Sequence, residues 1–505
     1  MTTPAAPLNH ADRQALGLSA RKQLARREHG NFQASECKQD PLQVLRASMT
    51  GRVPSLIPIK YQRMAASPFG FFRGAVPIMA ADLSCFPNTG ITTQLCGDAH
   101  VLNLGAFASL DGRLVFDIND FDETIRGPFE YDVKRFATSL LLAGRAAGVK
   151  RSARRDAVLH FAQQYRTMMQ TFAAMPVVEI ARYQIHRLGA TDPMPAILSQ
   201  AGHSTPSKLL KSLTQPAPAA GRSAANSPGN SPTNSAVPRI FHNNPPQLQR
   251  LSAKEAALVL AALGPYTRTL QPERVHFLQQ YAPQDVAFKV VGTGSVGLRD
   301  YVIYFEGLSR PHGVDPLFIQ IKEEPASAYA PYLPEGSGHT HEGHRVVDGQ
   351  RAMQLTSDPF LGYTTIEGRD YLVRQLNDHK ASLDLEILNP ASMLGYADIC
   401  GELLARGHAR AGDPVTIAAY LGTSNRFDRA ILSFARAYSD KTERDWEMLL
   451  KSKDLRDAMK ALNADAPKAP QKPAKQALPK STTQPPQKSA KQAPQKSKKQ
   501  VPKKK

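Results

Sequence analysis

Hydrophobic positions recur at helical spacing over much of the chain. Between Tyr131 and Ala147, the residues Val133, Phe136, Ala137, Leu140 and Leu141 repeat at intervals of three and four, which predicts a helix with a core face. The same spacing carries on through 157–175 and 177–188 and returns at 391–410, 418–420 and 427–448. A polar, Arg-, Ala- and Leu-rich stretch at 11–28 predicts an amphipathic surface helix. The aromatic run Tyr61 to Gly74, which contains Phe69, Phe71 and Phe72, reads as core flanked by Arg63 and Arg73. Strand patterns occupy other positions: 114–121 is an apolar run punctuated by acids, and 286–291, 298–305, 317–323 and 369–376 are rich in aromatic and β-branched residues. The expected fold class is α+β, with an α-rich lobe and a strand-rich lobe. Between Gly202 and Asn244 the composition collapses into Ser, Pro, Asn, Ala and Gly, which predicts a disordered linker or insertion.

Composition bounds this picture. A chain of 505 residues with 42% hydrophobic residues can build two or three lobes with real cores. No apolar run approaches the ~20 residues that span a bilayer, and the amino terminus lacks the apolar stretch of a secretory signal. The four cysteines, Cys37, Cys85, Cys96 and Cys400, show no CxxC spacing, which fits reduced thiols in the cytoplasm and argues against a cysteine zinc site. The net charge is +19, but twelve lysines and no acid follow Asp465, so the rest of the chain carries about +7. That Lys/Pro-rich tail, expected to be disordered, suits non-specific, salt-sensitive contact with nucleic acid or another polyanion. With no aromatics it offers no stacking platform, and a solubilising role fits it nearly as well.

The densest candidate chemistry lies in 96–132, where Asp98, Asp111, Asp117, Asp120, Asp122, Glu123, Glu130 and Asp132 gather in a basic chain. Acids this close repel unless cations sit among them. An Asp and an Asn on a loop, Asp98 and Asn103, facing carboxylates at a strand end, Asp120 and Asp122, supply the hard oxygen ligands of Mg²⁺. Asp117 is the rival ligand one strand step earlier. Arg73 is placed either to pair with these carboxylates or to hold a phosphate, and Asp132 either to cap its helix or to bind the loop backbone.

A second informative stretch is Gly292-Thr293-Gly294-Ser295-Val296-Gly297, a GxGxxG between two strand patterns. Alone this is a weak signal. A dinucleotide site wants a helix after the glycines; a strand there favours a loop covering nucleotide phosphates, although a plain hairpin turn needing glycine also accounts for it. Lys322 closes the strand 317–323, where an amine can meet α- and β-phosphates. The helical pattern at 341–354 should carry its partner, a Glu in kinases, with Glu342, Asp348 and Gln350 as alternatives. The strand 369–376, which includes Arg374, runs into a polar connector that suits an adenine hinge. His339, His341 and His344 form an HxHxxH that reads as a solvated loop.

The segment Cys96-Gly97-Asp98-Ala99-His100-Val101-Leu102-Asn103 resembles the HGD-x-H-x-x-N catalytic loop of protein-kinase-like phosphotransferases, the aminoglycoside and choline kinase branch in particular, with Cys96 where those families carry His. Asp120-Phe121-Asp122 and Gly127-Pro128-Phe129-Glu130-Tyr131-Asp132 resemble their metal-binding and following segments. The chain order differs, because the glycine loop, lysine and hinge come after the catalytic loop, so the resemblance implies a two-lobed, circularly permuted kinase-like fold. It also implies an ATP- and Mg²⁺-dependent transferase acting on an unknown acceptor, by phosphoryl or nucleotidyl transfer. Asp98 would act on the acceptor hydroxyl, Asn103, Asp120 and Asp122 on the metal, and Gly292, Gly294, Ser295, Gly297 and Lys322 on the nucleotide, with His100 in support. The alternatives are a nucleotide-binding pseudokinase and a tail-driven nucleic-acid-associated protein. From Tyr61 to Trp446 the chain is also similar to a bacterial family called domain-of-unknown-function 2252, through blocks such as CGDAH..N.G, NDFDE, VG.GSVG.R, RVV.GQR and LA..HAR. The expected organisation is a helical extension at 1–60 and a loop-and-metal segment with α-rich lobe at 61–201. These are followed by a linker at 202–246, a nucleotide lobe at 247–380, helices returning to the α-rich lobe at 381–464 and the tail at 465–505.

Overall fold

Fifteen consecutive residues, Glu130 through Gly144, are buried in the helix Glu130–Ala146. A helix covered on every side sits at the centre of a core, and here the helices Arg151–Ala174, Pro390–Ala411 and Arg426–Lys451 surround it. Pro390–Ala411 lies along Arg151–Ala174. It starts on a capping box at Asn389 with Pro390 in its first turn, where a missing N–H costs nothing. The shared core runs from Ala20 and Phe32 through Phe136 and Tyr165 to Tyr396 and Tyr438, so residues from both ends of the chain build one α-rich body.

This computed structural model describes residues 8–109, 112–218, 238–290, 292–308, 314–336, 338–376, 381–386 and 388–465. Residues 1–463 form one compact unit and 464–505 another; the tail reading concerns residues that, beyond 465, lie outside the described ones. The fold is mixed α+β. Among the described residues no helix is long and apolar enough to cross a membrane.

The strands form a six-stranded antiparallel sheet in the order Gly362–Ile366, Arg369–Gln375, Pro316–Glu323, Asp300–Gly307, Tyr281–Lys289, Leu248–Arg250. Side chains alternate between its faces. Val286, Ile303, Phe305, Leu317, Ile319 and Ile321 point into a core shared with the helix Ala253–Ala261, while Ala287, Val302, Tyr304 and Phe318 face Leu210 and Phe241. Period two therefore puts Gln320 and Lys322 on the face of Phe318, beyond its apolar patch.

Three expectations are corrected. The helix expected over 177–188 covers only Val177–Arg182; beyond it Tyr183 and Arg187 both turn to Glu402, at 2.8 and 2.6 Å, and that buried carboxylate outweighs helical propensity. The helix expected over 11–28 is His10–Gln23 followed by a 3-10 turn, Arg26–Gly30. Its Arg21 and Arg26 donate to the carbonyls of Tyr420 and Leu421 at the end of the helix Pro414–Leu421, rather than facing water. The flanks of the expected linker are regular: Pro206–Leu213 is a helix capped by Thr205, and Thr214–Pro216 pairs with Arg239–Phe241. Residues 219–237 of that linker lie outside the described ones.

Candidate functional site

Two small antiparallel pairings frame the acidic stretch. Thr92–Leu95 pairs with Ile125–Pro128, and Leu104–Ala108 with Leu114–Ile118. They leave loops at 96–103 and 119–124, which Asn119 joins by donating its backbone N–H to the carbonyl of Asn103 at 3.0 Å. Asp132, in the first turn of the buried helix, accepts from the backbone N–H of Cys96 at 2.8 Å and of Gly97 at 3.0 Å. His408 lies 3.2 Å from the same carboxylate. Of its two expected roles Asp132 has the second, holding the loop backbone. Gly97 has a φ of 83°, and a Cβ there would lie 2.1 Å from the carbonyl oxygen of Glu123, so only glycine fits. Asn103 turns its amide back to the carbonyl of Asp98 at 2.9 Å.

Each carboxylate has its own answer to crowding. Oδ1 of Asp98 is held by the fully buried Arg135 at 2.6 Å; Arg135 also donates to the carbonyl of Phe72 at 3.1 Å and lies over that ring. Oδ2 of Asp98 stands 3.7 Å from Nε2 of His100, an imidazole that burial pushes down to about 3 and so keeps neutral. Asp122 is ion-paired with Lys322 and accepts from Ser295 Oγ at 3.0 Å, both on Oδ2. Burial works against its charge, but Lys322, with Arg374 behind it, takes its carboxyl well below the usual range. The converse holds for Lys322, whose burial is outweighed by Asp122, Asp120 and Glu324. Asp120 goes the other way, raised to about 6 by burial and by the charge of Asp122.

These groups share one cleft of about 610 Å³. The loop side contributes Asp98, His100, Asn103, Asp120 and Asp122; the sheet side contributes Gly292, Gly294, Ser295, Gln320, Lys322 and Arg374; Arg73 lines it as well. Opposite Gln320 in register, Arg374 donates to its side-chain oxygen at 2.9 Å. The glycine segment is tethered from the N-terminal side. Arg52 donates to the carbonyl of Val296 at 2.6 Å, the N–H of Val53 to that of Gly297 at 2.7 Å, and the buried Lys60 to that of Gly294 at 2.6 Å. Only Gly297 of the three glycines needs its lack of a side chain, with φ of 92° and the Arg52 stem 3.0 Å from where a Cβ would be; Gly292 has open space there.

Several expected residues lie elsewhere. Asp117 is not in the cleft: it is buried, ion-paired with Arg406 and accepts from the N–H of Leu355, because the alternation of its strand turns it towards the helix Pro390–Ala411. Glu342 pairs with Arg345 on its own helix, and Gln350 binds Gln354 at 3.0 Å, so neither meets Lys322. Asp348 is bonded to His339. The additional acid beside Lys322 is instead Glu324, two residues on, with Oε1 4.0 Å from its amine. Burial and the neighbouring Asp122 push the Glu324 carboxyl far above the usual range. The connector expected to form a hinge at 377–380 lies outside the described residues.

Sequence reasoning missed Arg135, Glu324, Lys60, Arg52 and Arg345, the last of which donates to the carbonyls of Asp122, Thr124 and Pro325. It also missed Asp300, opposite Lys322 in register and bonded through Oδ2 to Gln320 at 2.6 Å, with Oδ1 buried and without a hydrogen-bond partner among the described residues. Burial raises the Asp300 carboxyl to about 7. Because this lies above its unfolded value of ~3.9, its ionisation costs nothing below about pH 4, and the cost grows as pH rises towards 7. Asp300→Asn is expected to stabilise the protein at pH 8, on the order of 1–3 kcal/mol, with most of that gain gone at pH 5. Urea denaturation at the two pH values checks this; an equal gain at both would clear the carboxyl of any part in it.

The donor set suits a hard divalent cation. Oδ1 of Asp122 and both carboxylate oxygens of Glu324 are buried without a hydrogen-bond partner among the described residues, and Arg73 Nε is likewise unpartnered. Oxygen atoms of this kind are what Mg²⁺ coordination uses, and an idle guanidinium N–H suits an anion.

No curated protein and no solved structure matches the chain. A family profile does match, over residues 52–452, a span that takes in both loops, the glycine segment, Lys322 and the helix of Arg406 and His408. On that match the chain belongs to the family described as an uncharacterized protein conserved in bacteria (DUF2252).

Proposed function

We propose that this protein is a Mg²⁺- and ATP-dependent phosphotransferase with a circularly permuted kinase-like arrangement. The observation that supports it most is the convergence on Asp122: Lys322 from the strand and Ser295 from the glycine loop both reach its Oδ2 from far along the chain. Strand, glycine turn, strand and lysine strand, with carboxylates across a cleft, is the part list of kinase phosphoryl transfer. Among the described residues six cationic and four acidic side chains line that cleft, a balance suited to a polyphosphate with its cation.

In this reading Asn103, Asp120 and Asp122 would hold Mg²⁺, which when bound would neutralise phosphate charge. Lys322 shifts part of its pairing from Asp122 to the phosphates, and Arg73 and Arg374 hold the remaining anionic oxygens. The glycine segment, anchored through its carbonyls by Arg52, Lys60 and Val53, covers them from above. Leu209, Val290, Leu298 and Leu376 give an apolar lining for the base. Arg135 fixes the Asp98 carboxylate through Oδ1, so that Oδ2 orients the acceptor hydroxyl and takes its proton.

A second reading, nucleotide binding without transfer, draws on the same Arg135 contact, since a carboxylate tied to a buried guanidinium is a weaker base. Calorimetric titration of Mg-ATP, followed by a release assay with candidate hydroxyl acceptors, separates the two. Tight binding that persists in Asp98→Asn with no turnover in either protein favours binding alone. Absence of binding by wild type with every nucleoside triphosphate ends both readings.

A further inference from the structure

Away from the cleft, the segment before the helix Glu342–Met353 and the first turns of that helix bring two imidazoles and a carboxylate together. We propose that His339, His344 and Asp348 bind a borderline divalent transition-metal ion, zinc above all, at a site separate from the magnesium carboxylates. His344 and Asp348 are one turn apart and therefore share a helix face. Nε2 of His339 lies 2.9 Å, and Nε2 of His344 3.3 Å, from the same carboxylate oxygen, Oδ2 of Asp348. The three ligand atoms all lie within 4.8 Å of one another.

These spacings are close to those of a filled site. A tetrahedral ion with bonds of about 2.0–2.1 Å holds its ligand atoms roughly 3.3–3.4 Å apart, so small side-chain shifts are enough to admit one. The donor types choose the metal. Two imidazole nitrogens with one carboxylate oxygen suit zinc and its neighbours, whereas magnesium and calcium take oxygen almost alone. The rings are already oriented: His344 stacks on Tyr363 with centroids 4.6 Å apart, and the His339 ring stands edge-on to it at 5.3 Å. Partial exposure of all three side chains leaves room for water as the fourth ligand.

Placement gives the site a consequence. The residue after His344 is Arg345, which holds the backbone of the Asp122 loop. An ion clipping His339 to His344 and Asp348 stiffens the turn from which Arg345 reaches that loop. The inference is independent of the nucleotide reading, since none of its three ligands lines the cleft.

The test uses tag-free, full-length protein stripped with a chelator, titrated with Zn²⁺ by calorimetry and with Co²⁺ by visible absorption. One equivalent of Zn²⁺ and the intense absorption of tetrahedral Co²⁺ are expected. His344→Ala and Asp348→Asn should each weaken binding by at least about a hundredfold, beyond what loss of an outer-shell partner costs, without changing the circular dichroism of the metal-free protein. His339→Ala, outside the helix, serves if the helix variants fold poorly. Absence of binding by wild type, or binding that survives in these variants, overturns the proposal.

Discussion

Lys322→Met is expected to abolish the stabilisation by Mg-ATP that the proposed function requires of the wild type, and to cost the ligand-free protein about 3–5 kcal/mol. Both effects come from one amine. Lys322 is 3% exposed and is the cation in contact with Asp122, with Asp120 and Glu324 as further acids around it. Methionine keeps the length of the stem and removes the charge, leaving the buried Glu324 and the half-buried Asp120 and Asp122 without their shared cation. Removing one partner of a buried pair costs more than the pair is worth, because the other charge stays behind. On the ligand side, wild type at a hundredfold excess of Mg-ATP over Kd should gain about 2.7 kcal/mol, and the variant nothing. Thermal denaturation with and without nucleotide, alongside urea denaturation of the free proteins, measures both. A variant that responds to Mg-ATP as wild type does would remove Lys322 from the nucleotide site.

The second large effect is expected at Asp132. Its two oxygens take the N–H groups of Cys96 and Gly97 and the contact from His408. Asp132→Ala leaves all three without an acceptor in a region closed to water, and each such group costs about 1–3 kcal/mol. A total loss of roughly 3–9 kcal/mol follows, with a cavity adding to it. Asp132→Asn keeps one acceptor oxygen and should lie between the two. Because the loop it holds carries Asp98, any folded Asp132→Ala protein should also lose acceptor chemistry before it loses nucleotide binding. Urea midpoints for the three proteins decide the first point; a loss under 1 kcal/mol for the alanine variant would show that other contacts hold the loop.

How far the sequence reaches depends on the kind of residue. Lys322 was legible because period two along 317–323 places Phe318, Gln320 and Lys322 on one face, and an amine ending an otherwise apolar strand stands out. Asp98, Asn103, Asp120 and Asp122 were legible as a spaced set, and they do share a cleft with the glycine segment. Arg135 was not. Within Asp132-Val133-Lys134-Arg135-Phe136 a helical wheel assigns charges to an outer face, and nothing local says that this helix has no outer face. Glu324 follows Glu323, and only the sheet distinguishes them: Glu323 meets Arg299 and Arg369 while Glu324 turns to Lys322. Asp117 was misread for a related reason, since its partner Arg406 lies on a helix near the far end of the chain. The HxHxxH was read as a solvated loop; its side chains are indeed partly exposed, but His344 lies in the helix Glu342–Met353 and stacks on Tyr363, a ring the sequence does not display beside it.

The distance between Asp132 and His408, and between Asp117 and Arg406, bears on how the polypeptide is made. During synthesis the acidic front segment leaves the ribosome well before the helix that completes its contacts, and the N-terminal part of a chain ordinarily folds first. Here Asp117 and Asp132 have to wait with their carboxylates solvated, their partners Arg406 and His408 still untranslated. A nascent chain halted before Pro390 holds every proposed metal ligand of the cleft, yet has no Arg406 and no His408 to support them. Quality control in the cell would therefore meet an incompletely supported acidic body until the helix Pro390–Ala411 has been made.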